Sequence, residues 1–354
     1  MGAAYGTAII VALAIIAGCA LLLSLAFTGA ALAYANRRGL LDQPGKRRSH
    51  TQPTPRGGGI GVVAAMLLAG VEAWCLLERS SSWMQLAALA AAVLAVALIG
   101  WRDDHAPLPV VPRLLVHIGA ALLVGCAALA PWAMHDPKLW WILIPLVPVL
   151  IGFINAHNFM DGIDGILGQQ GLFVMLGLGA LAVWQGDTGI AALAFATAAG
   201  CLGFLFFNWP PAKIFMGDVG SGALGLAIGA VAAFVVQRNP AMLWPCAILP
   251  SAFLVDSGLT LARRMLAGQR WYAPHRQHLY QWLVRVNWSH ARTDVGYMIW
   301  NLAVVAPLAA LAACRPAHGV WYFVAAYVAA VCVWFAGKRA CLAHARSFAP
   351  HESA

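Results

Sequence analysis

The sequence predicts an all-α protein, a polytopic membrane bundle of about 11 transmembrane helices. Of its 354 residues, 62% are hydrophobic and only 10% are charged, whereas a soluble domain has about 25% charged residues. Apolar runs of roughly 20 residues recur along the chain, and each is long enough to cross a bilayer. The polar stretches between them have the length of loops. We therefore expect a single integral membrane domain over residues 1–354.

Eleven apolar segments are the predicted spans. They cover residues 8–34, 57–77, 84–101, 111–131, 139–157, 168–184, 189–207, 219–236, 242–262, 294–313 and 319–337. Only the polar residues 185–188 separate the sixth segment from the seventh. The first segment has neither a basic stretch before it nor a clear cleavage site, so we expect a retained helix rather than a signal peptide.

The basic residues predict the orientation. Eighteen of the 22 Lys and Arg residues lie in the loops after odd-numbered segments or in the C-terminal tail. By the positive-inside rule this side is cytoplasmic, with the N-terminus outside and the C-terminus inside. Six carboxylates lie on the same side, and these are Asp42, Asp103, Asp104, Asp161, Asp164 and Asp218. We therefore expect the functional site at the cytoplasmic face.

Residues 155–165 (NAHNFMDGIDG) form a polar stretch after the fifth apolar segment. Asp161 and Asp164 would share one face of a helix, although two glycines disfavour a regular helix and permit close approach of a ligand. A calcium loop is excluded, because the D-x-D-x-D-G pattern and the closing Glu are missing. A helix cap is the simpler interpretation, but a cap needs fewer polar side chains than Asn158 and its neighbours supply.

The first loop on the basic side, residues 42–59, carries His50, Arg56 and three consecutive glycines. Its basic residues alone are typical of a cluster held by anionic lipid. Its prolines and glycines favour a phosphate-binding loop, since glycine lets the backbone approach an anion where the next helix begins. We therefore predict that His50 and Arg56 bind substrate.

Two further carboxylate motifs lie at segment ends. Asp103 and Asp104 are adjacent and repel each other, which indicates either a solvated helix end or a site for a cation or phosphoryl substrate. Asp218 stands among glycines before the eighth segment. It is either a helix N-cap or a metal ligand beside phosphate oxygens, with Lys213 adding a positive charge.

The longest polar loop contains His275-Arg276-Gln277-His278. H-x-x-H could be half of a zinc site, but no further ligand completes it. The loop is better interpreted as a group of donors for a diphosphate. Asp256, inside the ninth segment, is either a functional intramembrane carboxylate or a buried partner of a nearby arginine.

Carboxylates, glycine-rich turns and basic side chains on one membrane face predict a reaction class. Mg²⁺ is usually held by one or two carboxylates together with substrate phosphates. Phosphoryl transfer requires charge neutralisation and in-line positioning more than covalent chemistry. The residues therefore predict a metal-dependent phosphotransferase acting on a lipid at the cytoplasmic face.

The motifs at 103–104, 155–165, 212–221 and 275–278 resemble, in order and spacing, the polyprenyl-phosphate N-acetylhexosamine-1-phosphate transferases (glycosyltransferase family 4). That family moves a sugar 1-phosphate from a UDP-sugar to undecaprenyl phosphate, releases UMP, and folds as ten or eleven helices. The resemblance implies a multi-pass protein of the bacterial inner membrane with its active site facing the cytoplasm. Members tend to dimerise, so it also implies a homodimer.

The resemblance assigns roles to the phosphate and metal residues. Asp218 would be the principal Mg²⁺ ligand, with Mn²⁺ as an alternative cation. Asp103 would bind or deprotonate the lipid phosphate, and Asp104 would assist the metal or the phosphate. Direct displacement by the lipid phosphate is the expected mechanism. A covalent intermediate on Asp161 is the competing one.

The resemblance also implies a nucleotide site. Asp161, Asp164 and Asn158 would line it, with Asp164 near uracil. Phe215 occupies the place of an aromatic ring that stacks on uracil. Three residues would hold the diphosphate, namely His275, Arg276 and His278.

Within this family the chain looks more like the branch that initiates O-antigen from UDP-GlcNAc or UDP-FucNAc. The alternative is the phospho-MurNAc-pentapeptide transferase of peptidoglycan synthesis, which typically has consecutive histidines where this chain has residues 275–278. We expect membrane lipids as further partners and no nucleic acid.

Two other classes fit less well. A sugar or anion transporter predicts charges near the bilayer midplane, and only Asp256 and His117 come close. A CDP-alcohol phosphotransferase requires a D-G-x-x-A-R signature, whereas residues 161–165 read DGIDG.

Overall fold

The computed structural model describes residues 2–43, 53–77, 83–270, 273 and 275–347. Within these ranges ten helices are long and apolar enough to cross a membrane, and a bent pair raises the number to eleven if it forms one span. The protein is an all-α polytopic membrane protein, as predicted. The orientation of its termini stays a prediction.

The helices follow one another through short connections. In chain order they are α1 (Gly2–Arg38), α2 (Ile60–Leu77), α3 (Trp83–His105), α4 (Val110–Ala133), α5 (Pro137–Met160), α6 (Ile166–Trp184), α7 (Thr188–Asn208), α8 (Asp218–Arg238), α9 (Pro240–Ile248), α10 (Ser251–Leu266), α11 (Leu279–Arg285), α12 (His290–Cys314) and α13 (Gly319–Ser347). Two short strands in the first loop, β1 (Leu41–Asp42) and β2 (Thr54–Pro55), pair antiparallel.

Helix α8 lies at the centre and is the most buried of the described spans. It packs against α3, α4, α5 and α6. Small residues permit this close packing, as is common between membrane helices. A Cβ atom at Gly225 would lie 2.5 Å from the carbonyl oxygen of Phe153, and one at Gly100 would lie 2.2 Å from that of Asp218. Helices α3 and α5 therefore approach the α8 backbone closely.

The predicted boundary between the sixth and seventh segments is confirmed. Helix α6 ends at Trp184 and α7 begins at Thr188. Gly186 supplies a positive φ of 78°, and the side chain of Asp187 accepts a hydrogen bond from the backbone N–H of Ile190. The polar residues at this turn thus end one helix and cap the next.

The ninth predicted segment, residues 242–262, is broken. Helices α9 and α10 meet at an angle of 69°, with Leu249 and Pro250 between them. Proline cannot donate the helical hydrogen bond, and Pro250 itself leaves the helical conformation with φ −86° and ψ 5°. Hydropathy alone therefore detected the apolar length of this segment but not its bend.

The loops that the charge pattern assigns to one side converge at one end of the bundle. The first loop joins the loop before α8 through backbone hydrogen bonds: Phe215 donates to the carbonyl oxygen of Pro55 at 2.8 Å, and Gly58 donates to that of Phe215 at 2.9 Å. Gly59 donates to Met216 at 2.9 Å. These bonds hold Arg56 and Phe215 on the same polar surface.

Candidate active site

A polar cavity of about 290 Å³ lies among the converging loops. Its walls come from the first loop, the ends of α3 and α5, the start of α8, and the starts of α11 and α12. The lining residues are Asp42, Arg56, Asp104, Phe159, Asp161, Gly162, Ile163, Asp164, Phe215, Gly217, Asp218, Tyr280, Gln281 and His290. Six predicted site residues are among them, namely Arg56, Asp104, Asp161, Asp164, Phe215 and Asp218.

Asp104 caps helix α8 from the end of α3. Its carboxylate accepts hydrogen bonds from the backbone N–H groups of Asp218 and Val219, each at 3.1 Å. The N-cap residue itself, Gly217, has a φ of 74° and offers no side chain. Arg56 donates to the Asp104 carbonyl oxygen, and its Nε lies 3.9 Å from the Asp104 carboxylate. The interpretation of Asp218 as a plain N-cap is therefore wrong, and its side chain faces the cavity.

The Asp218 carboxylate is held by two neighbouring helices. Asn158 of α5 donates from Nδ2 to Asp218 Oδ1 and to Ser221 Oγ, each at 2.9 Å. Arg113 of α4 lies 3.0 Å from Asp218 Oδ2 and donates to Asp103 Oδ2 at 2.7 Å. One guanidinium thus joins the carboxylates of two segments, and a cation at Asp218 would compete with it.

Asp161 is the most crowded carboxylate of the cavity. It follows the last residue of α5. Burial, and then the neighbouring carboxylates of Asp218, Asp104 and Asp164, raise the pKa of Asp161 well above its ordinary value. The cavity therefore concentrates negative charge, which favours binding of a cation.

The loop between α5 and α6 is packed under Tyr280. The Tyr280 hydroxyl donates to the carbonyl oxygen of Phe159 at 3.0 Å, and a Cβ at Gly162 would lie 2.1 Å from that hydroxyl. Gly165 has a φ of 82°, and its N–H donates to Asn208 Oδ1 at 2.9 Å. Both glycines are therefore required by the shape of this loop.

Asp164 connects this loop to two others. Its Oδ2 accepts a hydrogen bond from the backbone N–H of Ala212 at 3.1 Å. Its Oδ1 lies 3.2 Å from Nδ1 of His290. The carboxylate is thus fixed between the loop that carries Phe215 and the first turn of α12.

The predicted diphosphate donors lie beside the cavity rather than in its wall. His278 is buried, and its ring stacks near Phe159 and Tyr280, with centroids 6.3 and 5.7 Å away. Its Nδ1 is 3.8 Å from Asp256 Oδ1. The centroid of His275 is 5.0 Å from that of His278. Neither histidine, nor Arg276 between them, belongs to the cavity lining, so their contact with a diphosphate stays a prediction.

Asp256 anchors the start of α11. It accepts hydrogen bonds from the Leu279 N–H at 2.8 Å, from Trp334 Nε1 at 2.9 Å and from the Tyr297 hydroxyl at 2.9 Å. The structural interpretation of this buried carboxylate therefore fits, but its partners are these donors rather than the arginines predicted for it. Through Leu279 it positions Tyr280 over the cavity.

Three other predicted residues are placed differently. Asp103 accepts from the backbone N–H of Leu108 at 2.6 Å and from Arg113, and it does not line the cavity. Lys213 is exposed and also stands outside the lining. His50 lies outside the described residues. Their roles with substrate stay predictions.

We expect His275 to make the fold sensitive to acid. Burial, followed by the charges of His278, Arg264 and Lys338, lowers the pKa of His275 from 6.5 to about 4. The unfolded chain binds this proton more tightly than the folded protein. The contribution of His275 to the free energy of unfolding is therefore fully present above pH 6.5 and is lost as pH drops toward 4. His275→Gln should therefore reduce the loss of melting temperature between pH 7 and pH 5.

His135→Gln, at an exposed site near the opposite end of the bundle, is the matched control and should keep the full loss. Equal losses for wild type and His275→Gln would contradict this prediction.

The sequence motifs missed several residues of the site. They are Phe159, Tyr280, Gln281, His290 and the bridging Arg113. Phe159 lies inside the 155–165 stretch, and Tyr280 and Gln281 lie two and three residues after the histidine motif. His290 and Arg113 are outside every motif, and only the packing of α12 and α4 brings them to the cavity.

Comparison with known proteins identifies the family. The sequence profile of "Glycosyl transferase family 4" matches residues 86–236. A "Probable undecaprenyl-phosphate N-acetylglucosaminyl 1-phosphate transferase" of Bacillus subtilis (strain 168) is 28% identical over 71% of this chain and 72% of its own length. The "Decaprenyl-phosphate N-acetylglucosaminephosphotransferase" of Mycolicibacterium smegmatis is 32% identical over 77% and 75%.

A third relative comes from another branch. The "Phospho-N-acetylmuramoyl-pentapeptide-transferase" of Synechococcus sp. (strain WH7803) is 36% identical over 58% of this chain and 60% of its own length. The family profile and the relative from Mycolicibacterium smegmatis point to the same group of transferases. The chain therefore belongs to glycosyl transferase family 4.

Proposed function

We propose that this protein transfers N-acetylhexosamine 1-phosphate from a UDP-sugar to undecaprenyl phosphate at the cytoplasmic membrane face and releases UMP. The observation that carries the proposal is the cavity in which Asp104, Asp161, Asp164 and Asp218 meet Arg56 at one end of a membrane bundle. The relatives from Bacillus subtilis and Mycolicibacterium smegmatis support a polyprenyl phosphate acceptor and an N-acetylglucosamine donor.

The donor atoms of the cavity suit Mg²⁺, with Mn²⁺ as the alternative. Among the residues that the structure describes, no three His, Cys, Asp or Glu side chains are grouped tightly enough to hold a metal alone. Mg²⁺ commonly needs only one or two carboxylates, because substrate phosphates and water complete its shell. Asp218 and Asp104 would hold the ion, which would neutralise charge on the donor diphosphate. Burial, and then repulsion by Asp218, Asp104 and Asp164, raises the pKa of Asp161. A cation in the cavity would relieve that repulsion.

The chemical step is a direct displacement at phosphorus. An oxyanion of the lipid phosphate attacks the β-phosphorus of the UDP-sugar and forms a new phosphorus–oxygen bond. The bond from the β-phosphorus to the oxygen bridging it to the α-phosphate breaks, and UMP leaves with that electron pair. The bond between sugar and phosphate stays intact. Arg56 lies in the cavity wall, where its guanidinium can donate to phosphate oxygens.

The same walls offer a place for the nucleotide. Phe215 would stack on uracil, and the Asp164 carboxylate would accept hydrogen bonds from it. Asn158 acts through Asp218, because it orients that carboxylate from α5. Asp103 would assist the lipid phosphate from behind Arg113.

The finer proposal is that the product begins a lipid-linked cell-envelope glycan of the O-antigen type in the bacterial inner membrane, with the enzyme acting as a homodimer. The relative from Synechococcus favours a second candidate donor, UDP-MurNAc-pentapeptide. The donor that supports turnover distinguishes the two.

The test uses purified full-length protein, undecaprenyl phosphate, Mg²⁺ and a panel of UDP-sugars, with UMP as the readout. We expect UMP from a UDP-N-acetylhexosamine, and only when the lipid phosphate and the divalent cation are both present. UMP from UDP-MurNAc-pentapeptide alone would select the second candidate. Release of UMP from no donor would contradict the proposed reaction.

A further inference from the structure

We propose that His290 is a positioning residue that fixes the Asp164 carboxylate for recognition of the nucleotide, so that helix α12 helps to set donor specificity. The inference rests on the proposed function, because it takes Asp164 as a nucleotide-binding group. It adds helix α12, which carries no sequence motif, to the elements that form the substrate site.

The Nδ1 atom of His290 makes two contacts with Asp164. It accepts a hydrogen bond from the Asp164 backbone N–H at 3.4 Å and lies 3.2 Å from Asp164 Oδ1. One ring nitrogen cannot donate to the carboxylate and accept from the N–H at the same time. A ring with Nδ1 unprotonated therefore holds the Asp164 backbone, and a ring protonated at Nδ1 donates to the Asp164 carboxylate instead. In both forms the contact of Nδ1 is with Asp164.

The opposite oxygen of Asp164 is held by a different loop. Ala212 donates its backbone N–H to Oδ2 at 3.1 Å, and the same loop carries Phe215. The two contacts together fix the orientation of the carboxylate relative to the Phe215 ring. A carboxylate fixed in this way requires less ordering when it accepts a hydrogen bond from a base stacked on that ring.

The first turns of α12 are themselves firmly placed. Ser289 caps the helix by accepting from the N–H of Arg292 at 3.1 Å. Gln169 of α6 donates to the carbonyl oxygen of Asp294 at 3.0 Å. A Cβ at Gly165 would lie 2.3 Å from Asp294 Oδ2. Helix α12 therefore packs directly on the loop that carries Asp164 and holds His290 in a constant position.

The pair lies at the wall of the cavity and is largely removed from water. The side chains of His290 and Asp164 are only 16% and 12% exposed, and both residues line the cavity. A hydrogen bond in such surroundings is screened less than one at the surface. Loss of this hydrogen bond should therefore weaken the binding of a ligand that is recognised by the Asp164 carboxylate.

The test compares His290→Ala, His290→Asn and His290→Gln in the full-length protein. The side-chain amide of Asn lies near the place of Nδ1, whereas that of Gln lies nearer Nε2. We expect His290→Ala and His290→Gln to weaken binding of UMP and to raise KM for the UDP-sugar about tenfold, as the loss of one buried hydrogen bond implies. His290→Asn should restore most of both, and KM for undecaprenyl phosphate should not change.

A double-mutant cycle separates positioning from general support of the fold. In the Asp164→Ala background, His290→Ala should add no further loss of UMP binding. Arg292→Ala is the matched control on the same helical turn, because Arg292 is exposed and packs over Trp288; it should bind UMP like wild type.

Unchanged UMP binding in His290→Ala, an equal rise of both KM values, or a full additional loss in the Asp164→Ala background would overturn the inference. Calorimetric UMP binding is measured without lipid, so the two proposals can fail separately. Binding that depends on His290 without any turnover would overturn only the proposed reaction. If the enzyme turns over but its affinity for UMP does not change when His290 is substituted, only the inference is overturned.

Discussion

Asp218→Asn is expected to lower kcat about 100-fold or more at limiting Mg²⁺, while helix α8 remains folded. Removal of one electrostatic group that acts on the transition state typically costs this much. The asparagine keeps the shape of the side chain but loses the negative charge that would hold the cation. The fold should persist, because Asp104 and not Asp218 caps the helix.

The measurement is UMP release as a function of Mg²⁺ concentration, together with the melting temperature. Asp136→Asn is the control, since Asp136 is exposed and caps only the first turn of α5 at the other end of the bundle. Full activity of Asp218→Asn at limiting Mg²⁺ would refute the metal assignment.

Asp161→Asn is expected to produce a protein that is more stable in EDTA and yet nearly inactive. The pKa of Asp161 is raised by burial and by three carboxylates. The folded state therefore holds the proton more tightly than the unfolded chain, and stability falls as pH rises from the ordinary aspartate pKa through this raised value. At neutral pH the native carboxyl group therefore costs stability that a neutral isostere would recover, about 1 kcal/mol.

The same substitution should lower kcat about 100-fold, since the Asp161 carboxyl group would act at the donor diphosphate. Melting in EDTA at pH 7.5 and UMP release with Mg²⁺ are measured on one preparation. A variant that is both less stable and inactive would assign Asp161 to the fold instead.

A trapping experiment checks the mechanism. Wild type is incubated with a donor labelled in its β-phosphate and without lipid acceptor. Direct displacement predicts no labelled protein. A labelled acyl phosphate on Asp161, formed between its carboxylate and the sugar phosphate, would show a double displacement instead.

The predicted spans and turns agree with the fold where the sequence carries a local physical signal. Each span was detectable because about 20 apolar residues are needed to cross a bilayer wherever they occur. The turn at Gly186 and Asp187 was detectable because its polar residues interrupt a long apolar run. The bend at Pro250 was missed, since the mean hydropathy of residues 242–262 does not depend on backbone direction.

The sequence predicted many of the residues that form the site, but it did not predict which of them contact one another. Asp104 was expected to assist a metal or phosphate, and the structure shows that it also caps α8, which begins 114 residues later. Arg113 was counted only as a basic residue, and it proves to join Asp103 to Asp218. No local pattern could indicate either pairing, because each depends on two helices packing at one angle and depth.

The sequence by itself determined the class of this protein, the number of its spans, the end of the bundle that carries the polar loops, and most of the carboxylates of its cavity. These properties reside in runs of hydropathy and charge along the chain, and so they can be read without a fold. Only the tertiary structure decided that Asp218 faces the cavity while Asp104 caps its helix. It alone placed His290 against Asp164, 126 residues away. Such contacts arise from close packing around α8, which the chain achieves only when its helices are assembled.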